Sequence, residues 1–200
     1  MLIDIDKAEQ IATSPSDIKV AIDIDDTLID LLPAWVDWLN NHYGTNVDYK
    51  SITEWDMTKF FPTIPPNEVF APLMDMLFWT TVKPKNGAVK YLKMLIKEGF
   101  DLYLCSATHY DTIGLKHNIV MRKFFPFFPW NNVIIAAHKH MIKCDVLVDD
   151  GLHNFNGVEA INVVFDAPHN QEYENPYYDT YRVHDWKELY ILLHNLVGIE

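Results

Sequence analysis

Short apolar runs alternate with segments of helical periodicity along this 200-residue chain, and this alternation most constrains its fold. Apolar residues recur at spacings of three and four over residues 31–43, 87–98 and 186–197, as in amphipathic helices. Another helical segment is expected around residues 111–125. Strands that alternate with helices predict an α/β fold, with a mostly parallel, Rossmann-like sheet and helices on both faces. The predicted strands lie at residues 20–22, 100–105, 133–135, 144–148 and 160–165.

The sequence KVAIDIDDTLID concentrates negative charge directly after the first apolar run, at Asp23, Asp25, Asp26 and Asp30. Without partners these carboxylates would repel one another and lose their hydration, so we expect a cation among them. Thr27 is expected to shape the loop through a hydrogen bond from its hydroxyl to the backbone.

Two later apolar runs also end in polar residues, namely Ser106 and the pair Asp149-Asp150. Each piece alone is typical of a turn or a helix cap. The carboxyl ends of parallel strands meet at one edge of the sheet, where ligands collect, so the pieces together favour a functional site. Asp23 and one of Asp149 and Asp150 can hold Mg²⁺, which prefers oxygen ligands.

These motifs resemble those of the haloacid dehalogenase superfamily. The resemblance implies that Asp23 is the nucleophile and Asp25 the general acid and base, while Ser106 and Lys139 orient the phosphoryl group. Lys143 is a rival for the role of Lys139, which we prefer because of its spacing to Asp145. The matching stretches are Asp23-Ile24-Asp25-Asp26-Thr27-Leu28, Leu102-Tyr103-Leu104-Cys105-Ser106, the lysine, and Val146-Leu147-Val148-Asp149-Asp150.

Within that superfamily the chain is similar to the 5'(3')-deoxyribonucleotidase family. This similarity implies an Mg²⁺-dependent phosphatase that converts (deoxy)nucleoside monophosphates to nucleoside and phosphate through an aspartyl-phosphate. It also implies that the metal is held by Asp23, Asp150 and the backbone carbonyl of Asp25, with Asp149 in support. The features that carry it are Phe78-Trp79, Pro84, Gly87-Ala88-Val89, the Lys139–Asp145 spacing, Phe165-Asp166-Ala167-Pro168-His169-Asn170-Gln171 and Asp185-Trp186-Lys187.

The family resemblance divides the chain into a core, residues 1–31 and 83–200, and a small helical cap, residues 32–82. Prolines and aromatic residues crowd the cap, as expected for short broken helices over a site. A nucleobase could stack there on Phe78 and Trp79, although a helical aromatic residue more often belongs to the core. The substrate-binding set is completed by Ser106, Ala107 and Lys139, and Trp35, Trp38 and Trp55 are the next candidates for stacking.

The formal charge of −12 disfavours a grip on polymeric nucleic acid and is compatible with a small anionic substrate. No secretory signal or membrane-spanning run is visible, so we expect a cytoplasmic protein that does not bind membranes, and a homodimer is compatible with the sequence. Cys105 and Cys144 are expected to be buried free thiols within strands. The histidine spacing matches no zinc pattern, so no zinc is assigned. Residues 1–17 have no assigned role.

Two other readings stay open from the sequence alone. The same residues could serve another small phosphomonoester, such as a sugar phosphate or a nucleic acid 3'-phosphate end. A non-catalytic protein that binds metal or nucleotide could also keep this fold, but the intact Asp23, Asp25, Ser106, Lys139 and Asp150 argue against it.

Overall fold

The computed structural model describes residues 2–54, 56–171 and 180–199 and contains one seven-stranded sheet. Every strand pair is parallel, and the strand order is β1-β7-β6-β5-β2-β3-β4. The strands are β1 (Leu2–Ile3), β2 (Lys19–Asp23), β3 (Asp101–Ser106), β4 (Val133–Ile135), β5 (Val146–Asp149), β6 (Ile161–Phe165) and β7 (Thr180–Val183). The predicted parallel α/β fold is confirmed.

Helices connect most of these strands, and the long ones follow the predicted periodicity. The α-helices are α1 (Leu31–Tyr43), α2 (Pro66–Phe70), α3 (Met76–Thr81), α4 (Ala88–Lys97), α5 (Tyr110–Leu115), α6 (Arg122–Phe124) and α7 (Trp186–Leu196), and a π-helix (Lys116–Met121) joins α5 to α6. Short 3₁₀ turns occupy Ile5–Lys7, Pro15–Asp17, Tyr49–Ser51, Met57–Phe60, Ala71–Met74, Trp130–Asn132, Lys139–Met141, Leu152–Phe155 and Pro168–Asn170.

Strands β2 and β5 lie at the centre of the sheet, and their register brings the polar ends of the strands together. Their side chains are buried on both faces, which is why both read as continuous apolar runs. Ile22 pairs with Val148, and Asp23 pairs with Cys105. The residues that follow these pairs, Asp149 and Ser106, therefore lie at the same carboxyl edge as Asp23.

Helix α1 begins and ends at residues with defined roles. The carboxylate of Asp26 accepts a hydrogen bond from the Leu32 amide at 2.8 Å, which satisfies a donor of the first turn. Gly44 ends the helix with a φ of 66°, a left-handed conformation that glycine adopts without a steric penalty. Leu32, Val36 and Leu39 lie on its buried face.

The residues of the predicted cap share one hydrophobic core with the sheet. Ile52, Phe61, Val69 and Trp79 belong to the same buried cluster as Ile22 of β2. Residues 32–82 thus share their apolar packing with the sheet.

The amino-terminal residues, which had no assigned role, add a strand to the sheet and pack on the last helix. Leu2 pairs with Thr180 of β7, and the Ile11 amide donates to the Leu196 carbonyl at 2.8 Å. The thiols of Cys105 and Cys144 are both free. The expectation for Cys144 was partly wrong, because this residue precedes β5 and is only half-buried. Across the described ranges, every helix is too short or too polar to cross a membrane.

Candidate active site

The loop after β2 turns sharply and brings its carboxylates together over the sheet. The amides of Leu28 and Ile29 both donate to the Ile24 carbonyl, at 2.9 and 3.0 Å. Asp26 has a φ of 53°, a left-handed conformation that aspartate tolerates better than most residues. Asp23 is buried below this turn, while Asp25 is only half-buried.

Three buried carboxylates form the centre of the site. Asp23, Asp149 and Asp150 each present an oxygen within 4.8 Å of the others. Asp149 is fixed by the Gly151 amide at 2.8 Å and by the Asn154 side chain at 2.9 Å, both of which donate to its Oδ1. Oxygen ligands in this number and arrangement suit a hard divalent cation.

Two buried lysines bind carboxylates of the site. Lys139 Nζ donates to both Asp23 and Asp149, and its side chain is 0% exposed. Lys116 Nζ donates to Asp25 and also lies 3.1 Å from Ser106 Oγ. Lys116 was missed by the sequence reasoning, since a lysine in an amphipathic helical segment usually faces solvent.

The rival lysine lies elsewhere. Lys143 is exposed on the surface, whereas Lys139 is buried between the first and fourth motifs. The structure therefore brings Lys139 to Asp23 and leaves Lys143 outside the site.

Burial and mutual repulsion perturb the acidic groups of the site. Burial raises the pKa of Asp23 well above its usual value, against the opposing effect of Lys139. Burial, together with the neighbouring Asp149, raises the pKa of Asp150 to about 8. Burial and the charge of Asp150 raise the pKa of Asp26 to about 7. Negative charge at this edge is thus costly without a further cation.

The pKa of Lys139 is raised although its side chain is buried. Burial alone lowers the pKa of its ammonium group, but the carboxylates of Asp23 and Asp149 outweigh that effect and raise it. Lys139 therefore stays charged.

A cavity of about 370 Å³ opens beside Asp25. Trp35 and Trp79 line it from residues 32–82, and Ala107 and Lys116 line it from the segment after β3. Its other lining residues are Asp26, Leu31, Leu32, Ile52, Glu54, Met57, Phe70, Leu73, Met74, Thr108, His109, Thr112 and His169. The cavity joins an apolar, aromatic wall to the charged edge of the sheet.

The structure separates the two predicted stacking residues. Both are buried, at 0% exposed for Phe78 and 1% for Trp79, but Trp79 lines the cavity and Phe78 does not. Their rings pack edge to face, with the centroids 5.5 Å apart. Trp38 stacks on His42 at a centroid distance of 3.4 Å, away from the cavity lining. Trp55 lies outside the described residues.

Sequence comparison shows the family to which the chain belongs. A family model described as "5' nucleotidase, deoxy (Pyrimidine), cytosolic type C protein" matches residues 16–197. The chain belongs to this nucleotidase family. A relative from Bacillus subtilis (strain 168), named 5'(3')-deoxyribonucleotidase, is 33% identical over 171 residues, which cover 85% of this chain and 95% of the relative. The resemblance seen in the sequence is confirmed, and the chain is a phosphoric monoester hydrolase.

Solved structures share the fold of this chain. A haloacid dehalogenase family hydrolase from Deinococcus radiodurans R1, with bound phosphate and sodium, is 13% identical with a TM-score of 0.61, over 92% of this chain and 97% of that one. The hydrolase YfnB from Bacillus subtilis, bound to magnesium, is 17% identical with a TM-score of 0.56, over 88% and 98% of the two chains. At these identities the likeness shows the fold alone.

The late sequence features of this nucleotidase contact the loop after β2 and the acidic cluster. Trp186 Nε1 donates to the Thr27 carbonyl at 2.9 Å, which ties α7 to the loop after β2. His169 Nε2 lies 2.8 Å from Asp150 Oδ2. The expectation for Thr27 was wrong, because its hydroxyl donates to the Asp150 carboxylate at 3.4 Å rather than to the backbone. These contacts join distant parts of the sequence, so spacing alone could not reveal them.

Proposed function

We propose that this nucleotidase is an Mg²⁺-dependent phosphatase that converts (deoxy)nucleoside monophosphates to nucleoside and phosphate through an aspartyl-phosphate on Asp23. One observation carries the proposal: the buried Asp23, bound to Lys139 and clustered with Asp149 and Asp150, lies at the edge where Asp25 faces an aromatic cavity. The family match and the named relative support the nucleotide as substrate.

The residues present fit a magnesium ion. Asp23 and Asp150 would hold it by their side chains and Asp25 by its backbone carbonyl, while Asp149 stays bound to Lys139. The raised pKa values of Asp23 and Asp150 support this assignment, because they reflect carboxylates that need additional positive charge. When bound, Mg²⁺ supplies the charge that lets a dianionic phosphate approach an anionic nucleophile. The magnesium in the YfnB structure is consistent with this choice.

In the first chemical step, a carboxylate oxygen of Asp23 attacks phosphorus and the bond from phosphorus to the nucleoside oxygen breaks. Asp25 gives its proton to that leaving oxygen. Asp25 Oδ1 suits this task, since it has no hydrogen-bond partner among the described residues and belongs to a side chain that lines the cavity. The buried Ser106 hydroxyl and Lys139 orient and neutralise the phosphoryl oxygens, next to the Ala107 backbone.

In the second step, Asp25 accepts a proton from water as that water attacks the phosphorus of the aspartyl-phosphate. The bond between phosphorus and the Asp23 oxygen breaks, which frees phosphate and restores the Asp23 carboxylate. Both steps leave Asp25 in its starting protonation state, as a catalyst requires.

In this proposal the nucleobase binds in the aromatic part of the cavity. The indole N–H groups of Trp35 and Trp79 are both engaged, by the Val69 carbonyl at 2.7 Å and the Leu73 carbonyl at 2.9 Å. These bonds fix the two indole rings, and stacking of a base on an aromatic side chain contributes about 1 to 3 kcal/mol. The ring of Phe78 packs against that of Trp79. The assignment of residues 32–82 as a cap stays part of this proposal, as does a cytoplasmic location, which the family's "cytosolic" description supports.

Phosphate release from a panel of substrates tests the proposal. The panel contains 5'- and 3'-nucleotides and one sugar phosphate, each with Mg²⁺ and with EDTA. We expect release from nucleotides that requires Mg²⁺ and is abolished by Asp23→Asn. The matched control is Asp37→Asn, an exposed aspartate on α1, which should keep full activity. Preference for the sugar phosphate would refute the substrate class, and an active Asp23→Asn variant would refute the nucleophile.

A further inference from the structure

We propose that His169 is a positioning residue that fixes the Asp150 carboxylate for metal binding, so that its loss weakens the affinity for Mg²⁺. This inference rests on the proposed metal site. His169 is not one of the nucleophile, acid and phosphate-binding residues described above, and it lies in the 3₁₀ turn after β6.

The contact between the two side chains is short and shielded from water. His169 Nε2 lies 2.8 Å from Asp150 Oδ2, and the two side chains are 6% and 3% exposed. With Asp150 as a carboxylate, the imidazole N–H is the donor. Thr27 donates to the other oxygen, Oδ1, at 3.4 Å. Both oxygens of Asp150 therefore have a defined direction before any ligand binds.

The neighbouring Asn170 keeps this segment of the chain next to Asp150. Its side-chain Nδ2 donates to the Asp150 carbonyl at 3.0 Å and to the Phe165 carbonyl at 2.8 Å. Its side-chain oxygen accepts from the Ala167 amide at 3.1 Å and from Arg182 Nη1 at 2.8 Å. The residue next to His169 is thus bonded through its side chain to the backbone of Asp150.

This arrangement matters because Asp150 lies among like charges. Asp23 and Asp149 present oxygens within 4.8 Å of it, so repulsion favours rotation of the carboxylate away from the cluster. A donor on Oδ2 opposes that rotation. Partners that orient metal ligands in this way typically change metal affinity by about 10- to 100-fold when removed.

Mg²⁺ titration by calorimetry, on the full chain without substrate, tests the inference. Asparagine and glutamine at position 169 are both polar amides, but only the glutamine amide reaches the position of Nε2. We expect His169→Asn to raise the Kd for Mg²⁺ by about 10- to 100-fold and His169→Gln to restore most of the affinity. His109→Asn is the matched control, because His109 also lines the cavity but is exposed and pairs with Asp111 rather than with the acidic cluster.

Activity gives a second readout. If His169 acts through the metal, His169→Asn loses activity at a low Mg²⁺ concentration. That activity returns when the Mg²⁺ concentration is increased. Equal Mg²⁺ affinity in His169→Asn and the wild type would overturn the inference, and so would equal losses in His169→Asn and His169→Gln. If the wild type hydrolyses nucleotides with Mg²⁺ in those cases, the proposed function stands. Wild-type protein that binds no Mg²⁺ and releases no phosphate would overturn both.

Discussion

Replacement of Lys139 by methionine removes a buried charge while keeping most of the side-chain volume. The Lys139 ammonium binds Asp23 and Asp149, and its side chain is 0% exposed. Removing one partner of a buried ion pair costs about 3 to 5 kcal/mol, because the remaining charge is left uncompensated. Burial already raises the pKa of Asp23, so this carboxyl can take up a proton in the variant. We therefore expect the free energy of unfolding to fall by about 3 kcal/mol, the lower end of that range.

Urea unfolding of the metal-free protein measures this loss of stability, and Asp149→Asn shows whether uncompensated charge causes it. The asparagine removes one of the two carboxylates that lose their partner. The double variant Lys139→Met and Asp149→Asn should therefore lose less stability than the sum of the single variants. A coupling of more than about 1 kcal/mol is expected for groups in direct contact. Additive losses would refute the charge argument.

Lys143→Met is the matched control, since it removes an exposed lysine from the same segment. Its stability should change by less than about 0.5 kcal/mol, as is usual for surface sites.

Phosphate release should fall by about 100-fold or more in Lys139→Met, because one fixed group that stabilises the transition state is lost. Lys143→Met should keep its activity. An active Lys139→Met variant together with an inactive Lys143→Met variant would assign the phosphate-binding role to Lys143.

Two further substitutions test the contacts that tie distant segments to the catalytic loop. Trp186→Phe leaves the Thr27 carbonyl without its donor and should cost about 1 to 3 kcal/mol in urea unfolding, whereas Trp130→Phe, at a 77% exposed site, should cost little. Lys116→Met frees Asp25 and Ser106 from their shared partner and should lower kcat by about 10-fold or more, while Lys116→Arg should restore part of it. An unchanged kcat in Lys116→Met would show that the contact is dispensable.

The central part of the fold could be predicted because its sequence patterns are local. Helix α1 and strand β4 have the predicted bounds, 31–43 and 133–135. The polar ends of β2, β3 and β5 could be assigned to one edge because parallel strands have a common direction. Asp23, Asp25, Ser106, Lys139 and Asp150 do lie together there, although their catalytic roles stay predictions.

The rest depends on contacts that sequence periodicity does not encode. The two-residue strand β1 is too short for a visible pattern, and its partner β7 lies at the opposite end of the chain. Lys116 lies in a π-helix, where a widened turn replaces the regular spacing on which helical prediction depends. Phe78 and Trp79 are adjacent, and only their packing shows which one reaches the cavity.

The pairing of β1 with β7 bears on how this nucleotidase can be shortened. The family match begins at residue 16, so a variant trimmed to that boundary would lack Leu2–Ile3 and the hydrogen bond from Ile11 to Leu196. Such trimming would leave the backbone groups of β7 open along one side, and uncovered strands of this kind recruit other chains. Leu2–Ile3 therefore cover this side of β7, and affinity tags are better attached ahead of the whole segment than substituted for it.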